Sequence, residues 1–514
     1  MTASIPQECK KYDILIKSGK IIDGTGSPWI RGDIGITGSR ITCIGTIPNQ
    51  YGEEIIDAEN LYVTPGFIDV HTHVDGKIDS HPEVKNYLLQ GVTTVVGGNC
   101  GSSRYPLQEL FQTIKSKIAV NFASFVGHNT IREQVMGNDD RAPTDEELLF
   151  MQTLVTQEMM AGAVGFSTGL SYIPGRYSTT EEIIQLAKMI EPFHGVYATH
   201  MRNQGEHIKE AIEEAVLIGR KAGVAVQISH IKLASEAVWG EYHRITEPIE
   251  TARRSGVPVF TDQYPYTATS SGFSSSFPGW AVAGGHEKFA ERIKDRNMYQ
   301  KIKEALIRTR LTFKRINPLE SIYISQNDNH PEYEGKNIAE ILDLLDQEKT
   351  VSSGAELLIK MYAEDQPKGV FFQMDEKDIG ALMKKEYTMV GSDGGAYIPG
   401  EGVPHSRAYG TFPRVLSRYV KEKNVLSLPD AIRKMTSLPA LAMGFYQRGL
   451  IREGMYADIV IFDDNIEDTA TYKTPHKYPN GIHWIIVNGK IAAHKEDIIN
   501  KNSGRILYNR SIRA

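Results

Sequence analysis

The sequence predicts an α/β fold: a (β/α)8 TIM barrel with a small β-sandwich domain formed by both termini and an insertion before the last barrel strand. From residue 65 to about 445, near-continuous apolar segments alternate with helical segments, which is typical of parallel strands buried on both faces. Short segments of alternating β-branched residues precede and follow this region. The predicted units are residues 1–64 and 446–514 for the sandwich, 65–445 for the barrel, and about 267–386 for the insertion within it.

Composition indicates an ordinary globular protein. Of 514 residues, 41% are hydrophobic and 23% are charged, and this length allows more than one domain. The net charge of −6 gives no reason to expect nucleic acid or an anionic membrane as a partner. No segment has the pattern of a signal peptide or of a membrane span. Three cysteines (Cys9, Cys43 and Cys100) are too few for a disulfide framework, so we expect a cytoplasmic location.

The strands are predicted from the N-terminus onwards. Residues 12–64 carry short strands separated by turn residues such as Asp23-Gly24 and Gly38-Ser39. The buried barrel strands that follow His71 are expected at residues 92–98, 118–125, 196–199, 224–229 and 257–262.

The helices between these strands have recognisable starts. Thr144 with Glu147, and Ser178 with Glu181, have the spacing of capping boxes, in which each residue's side chain bonds the other's backbone N–H. A further amphipathic helix is expected over residues 206–221.

The alternation breaks for about 120 residues before the last predicted strand, residues 387–393. So long an interruption inside a barrel is typical of a lid or a binding insertion. After residue 450 the pattern returns to β-strands, at residues 457–462 and 482–489. We expect these strands to join the N-terminal ones in one sandwich.

His71 and His73 end the first barrel strand. Side chains alternate along a strand, so these two imidazoles point the same way and form half of a site for a divalent metal. Two polar residues can also stand together by chance where a strand enters a loop. The pair alone therefore leaves both interpretations open.

The remainder of the chain supplies further ligand types at strand ends. Cys100 follows the second strand, His200 and His230 end two later strands, and Asp393 ends the last one. Each could be a structural residue without a metal. Because the C-terminal ends of barrel strands meet at one rim, their regular placement predicts one metal site there.

Several motifs resemble those of the N-acyl-D-amino-acid deacylases (D-aminoacylases), a branch of the amidohydrolase superfamily. They are VTPGFIDVHTH, GGNCGSS, GFSTGLSYIPG, THMRNQG, SHIKLA, YPYTA, VGSDG and the tail SGRIL, and the resemblance covers nearly the whole chain. The resemblance implies a zinc-bearing barrel with a β-sandwich. It also implies hydrolysis of a small-molecule N-acyl-D-amino acid to a carboxylate and a free D-amino acid.

The resemblance also implies which residues bind metal. Cys100, His200 and His230 would hold one tight Zn²⁺. His71 and His73, sharing Cys100, could hold a second and weaker one.

Two further roles follow from the resemblance. Hydantoinases and dihydroorotases bridge two metals with a carboxylated lysine on the fourth strand, but residues 163–169 contain no lysine, so the resemblance assigns the bridging anion to Cys100. Asp393 would accept a proton from the attacking water and pass it to the departing amine.

Family members bind the substrate's α-carboxylate with residues that match Lys232, Tyr264 and Arg407. The two cations could instead be solvated surface charges, which is the commoner fate of Lys and Arg. Both interpretations stay open at the level of sequence.

The side-chain preference is predicted from residues 269–280. Members that act on acidic substrates carry an arginine in this segment, whereas here it contains no cation. Phe273, Phe277 and Trp280 indicate an apolar pocket wall instead, and hence neutral or hydrophobic side chains.

Two alternatives remain. The same scaffold could support another amidohydrolase activity, such as that of a dipeptidase or a cyclic-amide hydrolase. The chain could also be a catalytically dead scaffold protein, which would be expected to have lost metal ligands.

Overall fold

The computed structural model describes residues 11–509 and residue 511, so Cys9 lies outside the described part. The strands are β1 (Tyr12–Ile21), β2 (Ile30–Thr37), β3 (Arg40–Gly45), β4 (Gly52–Asp57), β5 (Tyr62–Pro65), β6 (Phe67–Asp69), β7 (Thr72–His73), β8 (Val92–Gly97), β9 (Asn121–Ser124), β10 (Val126–Gly127), β11 (Gly165–Gly169), β12 (Val196–His200), β13 (Ala225–Ile228), β14 (Val259–Gln263), β15 (Ala268–Gly272), β16 (Ile322–Gln326), β17 (Lys368–Phe372), β18 (Thr388–Val390), β19 (Gly394–Gly395), β20 (Ile459–Glu467), β21 (Asn480–Val487), β22 (Lys490–His494) and β23 (Asp497–Ile498).

The α-helices are α1 (Lys85–Leu88), α2 (Leu107–Ile114), α3 (His128–Met136), α4 (Asp145–Ala161), α5 (Thr180–Ala187), α6 (Ile208–Ala222), α7 (His243–Arg254), α8 (Gly279–Val282), α9 (Gly285–Arg292), α10 (Arg296–Arg310), α11 (Ile338–Leu344), α12 (Val351–Glu364), α13 (Glu376–Met383), α14 (Arg407–Arg414), α15 (Leu428–Met435) and α16 (Ser437–Met443). A π-helix, Val415–Glu422, continues α14. Within the described residues, no helix combines the length and the apolar character needed to cross a bilayer.

Parallel strands pair in a ring. β6 pairs with β8 and β8 with β9, and β10 continues β9 after Phe125. The order then runs β10–β11–β12–β13–β14–β18. β19 continues β18 and pairs with β7, placing Gly394 beside Thr72 in the extension of the first strand. This is the strand order of the predicted (β/α)8 barrel, and because each of these pairings is parallel, the strands' C-terminal ends share one rim.

Two of the predicted helices begin and end much as expected. The Thr144 side chain accepts from the Glu147 N–H, and Glu147 accepts from the Thr144 N–H, so the predicted capping box starts α4. Helix α6 begins at Ile208, within two residues of the predicted start. It ends at Ala222 and is capped by Gly223, whose φ of +73° suits glycine.

The predicted start of α5 is wrong by one residue. The helix is capped by Thr179, whose hydroxyl accepts from the Glu182 N–H at 3.2 Å. Ser178 instead donates its hydroxyl hydrogen to the Gly175 carbonyl at 2.6 Å, which closes the preceding turn. The sequence pattern does not distinguish two neighbouring hydroxyl residues, and the tertiary turn decides between them.

Strands from both ends of the chain form one sheet. Nine strands take part, β1 to β5 and β20 to β23, and the antiparallel pair β5–β20 joins the two groups. Residues from both groups of strands pack in one aliphatic core, which includes Ile14, Ile34, Ile459 and Ile486. The termini therefore combine, as the repeated β-pattern predicts.

The segment between β14 and β18 has a core of its own. That core is formed by a three-stranded antiparallel sheet of order β15–β17–β16 and helices α8 to α12, whereas α13 packs into the barrel core. The segment contacts two rim loops of the barrel: Trp239 Nε1 donates to the Gln373 carbonyl at 3.2 Å, and the Val403 N–H donates to the Ser325 carbonyl at 2.8 Å. The insertion thus lies at the rim where the strands end.

The predicted apolar wall in residues 269–280 is wrong in its placement. Phe273 and Phe277 are buried in the insertion's own core, where they pack against Phe371 and Tyr362 respectively. Trp280 is 46% exposed. These rings serve the insertion's packing because its sheet and helices need a hydrophobic core of their own.

Candidate metal centre and active site

Four residues at the rim bring their ligand atoms together. The ligand atoms of His71, Cys100, His230 and Asp393 all lie within 4.8 Å of one another. Cys100 Sγ is 3.3 Å from His71 Nε2 and 3.5 Å from His230 Nε2, and Asp393 Oδ1 is 3.5 Å from His71 Nε2. A thiolate, two imidazoles and a carboxylate are ligands typical of zinc, so this donor set fits that metal.

The other two predicted ligands lie beside this group. His200 Nδ1 is 2.8 Å from His230 Nε2, and His73 Nε2 is 3.1 Å from Asp393 Oδ1. The His73 side chain is 37% exposed, whereas His71 is fully buried. His71 and His230 are therefore buried within the cluster, whereas His73 and His200 lie at its edge.

Three members of the cluster have an unusual backbone. Cys100, His230 and Asp393 have φ values of +55°, +38° and +53°, in the left-handed region that non-glycine residues seldom adopt. Each lies directly after or close to the end of a barrel strand. Such conformations cost about 1–3 kcal/mol each and concentrate at functional sites, where the surrounding structure holds them.

Ser167, on the fourth barrel strand, fixes the turn that presents Cys100. Its hydroxyl donates to the Gly98 carbonyl at 2.5 Å and accepts from the Gly101 N–H at 3.0 Å. At Gly98, whose φ is +70°, a Cβ atom would come within 2.2 Å of the Phe125 carbonyl oxygen. The strand that lacks a lysine therefore supports the cysteine through a serine.

Asp262 is a site residue that the sequence prediction missed. Its carboxylate lies 3.0 Å from His71 Nδ1 and accepts from the His230 N–H at 2.8 Å and from Gln227 Nε2 at 2.6 Å. A hydrogen on His71 Nδ1 leaves Nε2 free to face the cluster. Its position in the sequence could have revealed it. Asp262 lies near the C-terminal end of strand β14, just as Asp393 lies near the C-terminal end of β18.

The electrostatics suit a metal-binding thiolate. Burial raises the pKa of the Cys100 thiol, but the adjacent His71 charge and the histidine hydrogen bonds outweigh burial and hold the pKa well below its usual value. Burial, the Lys232 charge and His200 lower the pKa of His230 to about 3. His230 is therefore neutral at pH 7, which is the form that binds metal.

Asp393 is held as a carboxylate. Burial raises its pKa, but the Arg407 charge, the largest opposing effect, holds the pKa well below the usual range. Arg407 Nη1 lies 2.8 Å from Asp393 Oδ2, while Oδ1 faces the histidines.

The three predicted carboxylate-binding residues converge beside this cluster. Lys232, Tyr264 and Arg407 are 5%, 2% and 5% exposed, so the surface-charge interpretation is excluded for both cations. Lys232 Nζ lies 5.5 Å and Arg407 Cζ 4.7 Å from the centre of the Tyr264 ring. Burial lowers the pKa of Lys232 to about 7, with the Arg407 charge adding to that effect and the Asp393 charge opposing it.

Comparison with known proteins gives consistent results. A model described as the amidohydrolase family matches residues 54–262 and 354–493. The chain is 34% identical to a D-aminoacylase of Alcaligenes xylosoxydans xylosoxydans, over 97% of this chain and 98% of that protein. It is 35% identical to an N-acyl-D-aspartate deacylase of the same organism, over 93% of this chain and 91% of the other.

A solved structure shows similarity in three dimensions as well. The N-acyl-D-glutamate deacylase from Bordetella bronchiseptica, complexed with zinc and a phosphonate inhibitor that mimics the tetrahedral intermediate, superposes with a TM-score of 0.83. The alignment covers 97% of this chain and 100% of that one at 31% identity. Two of these relatives are named for different side chains, aspartate and glutamate, and their similar identities do not favour either one.

Proposed function

Because this chain belongs to the amidohydrolase family, we propose that it is a zinc-dependent hydrolase of N-acyl-D-amino acids. It would cleave the amide bond to give a carboxylate and a free D-amino acid. One observation carries this proposal: a cluster of zinc-type ligands lies directly beside the buried side chains of Lys232, Tyr264 and Arg407, joined to them by the Arg407–Asp393 contact.

Cys100, His230 and His200 would hold the tight zinc, and His71 and His73 would complete a weaker site that shares Cys100. The chemistry that zinc supplies in such sites is polarisation of the amide carbonyl and a fall in the pKa of water from 15.7 to about 7. We place the protein in the cytoplasm, where reducing conditions keep the Cys100 thiol free.

Asp393 would transfer the proton. Ionised and held by Arg407, its carboxylate can accept a proton from the attacking water through Oδ1 and deliver it to the nitrogen of the leaving amine. An amine anion is too poor a leaving group without that proton, so some residue must supply it. The carboxylate faces the ligand cluster directly, which suits this role.

The substrate's own carboxylate would lie against Lys232, Tyr264 and Arg407. Two basic groups and a phenol hydroxyl, all buried, can form charge-assisted hydrogen bonds with one carboxylate. Binding this end fixes the distance between the α-carbon and the ligand cluster, and so positions the scissile amide.

The alternatives fit less well. A dead scaffold would be expected to lack ligands, whereas the four-residue cluster and its supporting Asp262 are intact. A cyclic-amide hydrolase of the hydantoinase type would carry a lysine on the fourth strand, where Ser167 occupies strand β11. The substrate of a dipeptidase also has a free α-carboxylate, so the arrangement of residues does not separate this activity from the proposed one. The experiment below distinguishes the two.

The test combines zinc content with amine release. We expect the wild-type enzyme to hydrolyse N-acetyl-D-methionine or N-acetyl-D-glutamate, to leave the L-isomers and D-dipeptides largely intact, and to contain tightly bound zinc. Cys100→Ala should lose the tight zinc and its activity. Cys43→Ala is the matched control, because Cys43 is a partly exposed free thiol on the terminal sheet and its loss should change neither.

A Cys100→Ala protein that retained stoichiometric zinc and wild-type turnover would contradict the ligand assignment. Failure of the wild-type enzyme to release amine from any N-acyl-D-amino acid would contradict the proposed reaction.

A further inference from the structure

The chain between β20 and β21 leaves the terminal sheet and packs along α14, the helix that begins at Arg407. Ala470 packs in one cluster with Ala408 and Tyr409 of that helix. A second contact is polar, since His476 Nδ1 lies 2.9 Å from the Tyr409 hydroxyl. The terminal domain therefore contacts the helix that supplies one of the three proposed carboxylate-binding residues.

Asp468, the first residue after β20, lies against the middle of α14. At Gly410 a Cβ atom would collide with the Asp468 carboxylate, so the two approach this closely only because residue 410 is a glycine. Asp468 Oδ2 also lies 3.4 Å from Nη1 of Arg414, the last residue of the helix. The Asp468 side chain is 2% exposed, so the carboxylate is enclosed between the helix and its other neighbours.

The same carboxylate holds the segment that supplies Tyr264. The Tyr266 hydroxyl donates to Asp468 Oδ2 at 2.9 Å. Arg414 Nε donates to the Pro265 carbonyl at 2.7 Å, so the partner of Asp468 on α14 bonds this segment as well. One buried carboxylate therefore connects α14 to the two residues that follow Tyr264.

Asp468 can serve both partners as an ionised acceptor. Burial raises its pKa to about 6, while the Arg414 charge and the Tyr266 hydrogen bond oppose that effect, so the group is a carboxylate at pH 7. A third hydrogen bond comes from the Ala470 N–H at 3.0 Å. None of these three partners belongs to the ligand cluster, so Asp468 is connected to the carboxylate-binding side of the site.

We propose that Asp468 is a positioning residue for the substrate's α-carboxylate, because it fixes the distance between Arg407 and Tyr264 from a domain outside the barrel. This inference rests on the proposed function and adds to it a residue that acts through its neighbours. Two donors bind one carboxylate well only when their spacing matches it, since each hydrogen bond needs a donor–acceptor distance of about 2.7–3.2 Å.

The experiment measures steady-state kinetics on the faster of two substrates, N-acetyl-D-methionine and N-acetyl-D-glutamate. We expect Asp468→Ala to lower kcat/KM about 10- to 100-fold, which is the size of effect that a misplaced binding group has. Most of the change should be in KM, because the α-carboxylate is bound equally in the ground state and the transition state. The zinc content should stay that of the wild type.

A double-mutant cycle with Tyr264→Phe tests whether Asp468 acts through the spacing. Tyr264→Phe removes one of the two donors, and a spacing matters only while both are present. Adding Asp468→Ala to Tyr264→Phe should therefore lower kcat/KM less than about threefold further, whereas independent effects would multiply.

Two further variants complete the design. Tyr266→Phe keeps the ring and removes only the hydroxyl that bonds Asp468, so KM should rise in the same direction but by less. Asp463→Asn is the matched control, because Asp463 lies on the same strand and pairs with His483 of β21 at 2.9 Å. It should leave kcat and KM unchanged. Circular dichroism checks the fold of each variant, and Tyr266→Phe takes the place of Asp468→Ala in the cycle if the latter does not fold.

The outcomes separate the two proposals. If the wild-type enzyme hydrolyses no N-acyl-D-amino acid, the proposed function is wrong. If the wild-type enzyme is active and the folded variant keeps the wild-type KM, the function stands and the role of Asp468 is wrong. Losses that multiply in the double variant, or a loss of zinc in Asp468→Ala, would show a general structural role and also overturn the inference.

Discussion

At the scale of single residues, Asp393 has two possible roles that a substitution can separate. Its left-handed backbone and its N–H bond to the His71 carbonyl, at 2.8 Å, could make it a turn residue only. A proton-transfer group is worth about 10²–10⁴ in rate. Asparagine has nearly the same shape but cannot accept and return a proton.

We therefore predict that Asp393→Asn folds and loses at least about 10² in kcat, with little change in KM because the interaction belongs to the transition state. Steady-state kinetics on protein of measured zinc content checks this. Asp346→Asn is the control: Asp346 has a φ of +52° but is exposed at a helix end in the insertion, so its loss should not affect the rate. A zinc-loaded Asp393→Asn enzyme within tenfold of wild type would contradict the role.

The sequence could predict which candidate ligand residues come together, but not the residues that support them. His71, Cys100, His230 and Asp393 follow recognisable strands, and parallel strands bring their ends to one rim whatever the details. The partners of these residues depend on packing between distant segments. Asp262 lies 191 residues from His71, and a buried aspartate at a strand end has no spacing rule that links it to a histidine.

At the scale of elements, the turn between β8 and α2 presents Cys100, and strand β11 fixes that turn through Ser167. Removing the hydroxyl of Ser167 takes a partner from both the Gly98 carbonyl and the Gly101 N–H. The turn should then hold the thiolate less firmly, since loss of a supporting residue typically lowers metal affinity about 10- to 100-fold.

We predict that Ser167→Ala lowers zinc affinity by about that factor while retaining the fold. Competition with a chelator measures the affinity, and circular dichroism checks the fold. Ser167→Thr, which keeps the hydroxyl, should recover most of the affinity. Ser102→Ala removes an exposed hydroxyl from the same loop and should have no effect. Unchanged zinc affinity in Ser167→Ala would show that the turn holds Cys100 without it.

Element boundaries were predicted less well than element types. The apolar segment at residues 387–393 predicts one strand, yet pairing stops after Val390 and resumes at Gly394. Asp393 adopts its left-handed conformation in that gap, which a regular strand cannot include. A functional conformation thus interrupts a pattern whose local preference is extended.

At the scale of the whole molecule, the union of the two termini was predictable because both ends carry the same strand pattern. The contacts between that sheet and the barrel were not. Residues of the C-terminal tail bond the third barrel strand, with the Phe122 N–H donating to the Arg505 carbonyl and the Leu507 N–H donating to the Phe122 carbonyl. Such pairing depends on register across the full chain, which no local pattern specifies.

A buried polar network joins the terminal sheet to the barrel. Arg448 pairs with Asp458, and both side chains are 4% exposed. Arg448 also donates to Asn488 Oδ1 at 2.8 Å, and Asn488 Nδ2 donates to Asn121 Oδ1 at 2.8 Å, on the third barrel strand. Loss of one charge from such a pair leaves the other buried without compensation.

We predict that Asp458→Asn lowers the free energy of unfolding by about 3–5 kcal/mol, because Arg448 then keeps a buried charge with no counter-ion. Urea denaturation measures the loss. Adding Arg448→Met should restore part of the stability, since the double variant removes both charges, and the coupling between the sites should be at least about 1 kcal/mol.

Lys501→Ala is the control. It breaks an exposed pair with Glu83, another link between the C-terminal segment and the barrel, and should cost less than about 1 kcal/mol. If Asp458→Asn unfolds at the wild-type urea concentration, the network does not hold the two parts together. If the double variant is no more stable than the single one, the hydrogen bonds to Asn488 and Asn121, rather than charge compensation, account for the stability of this junction.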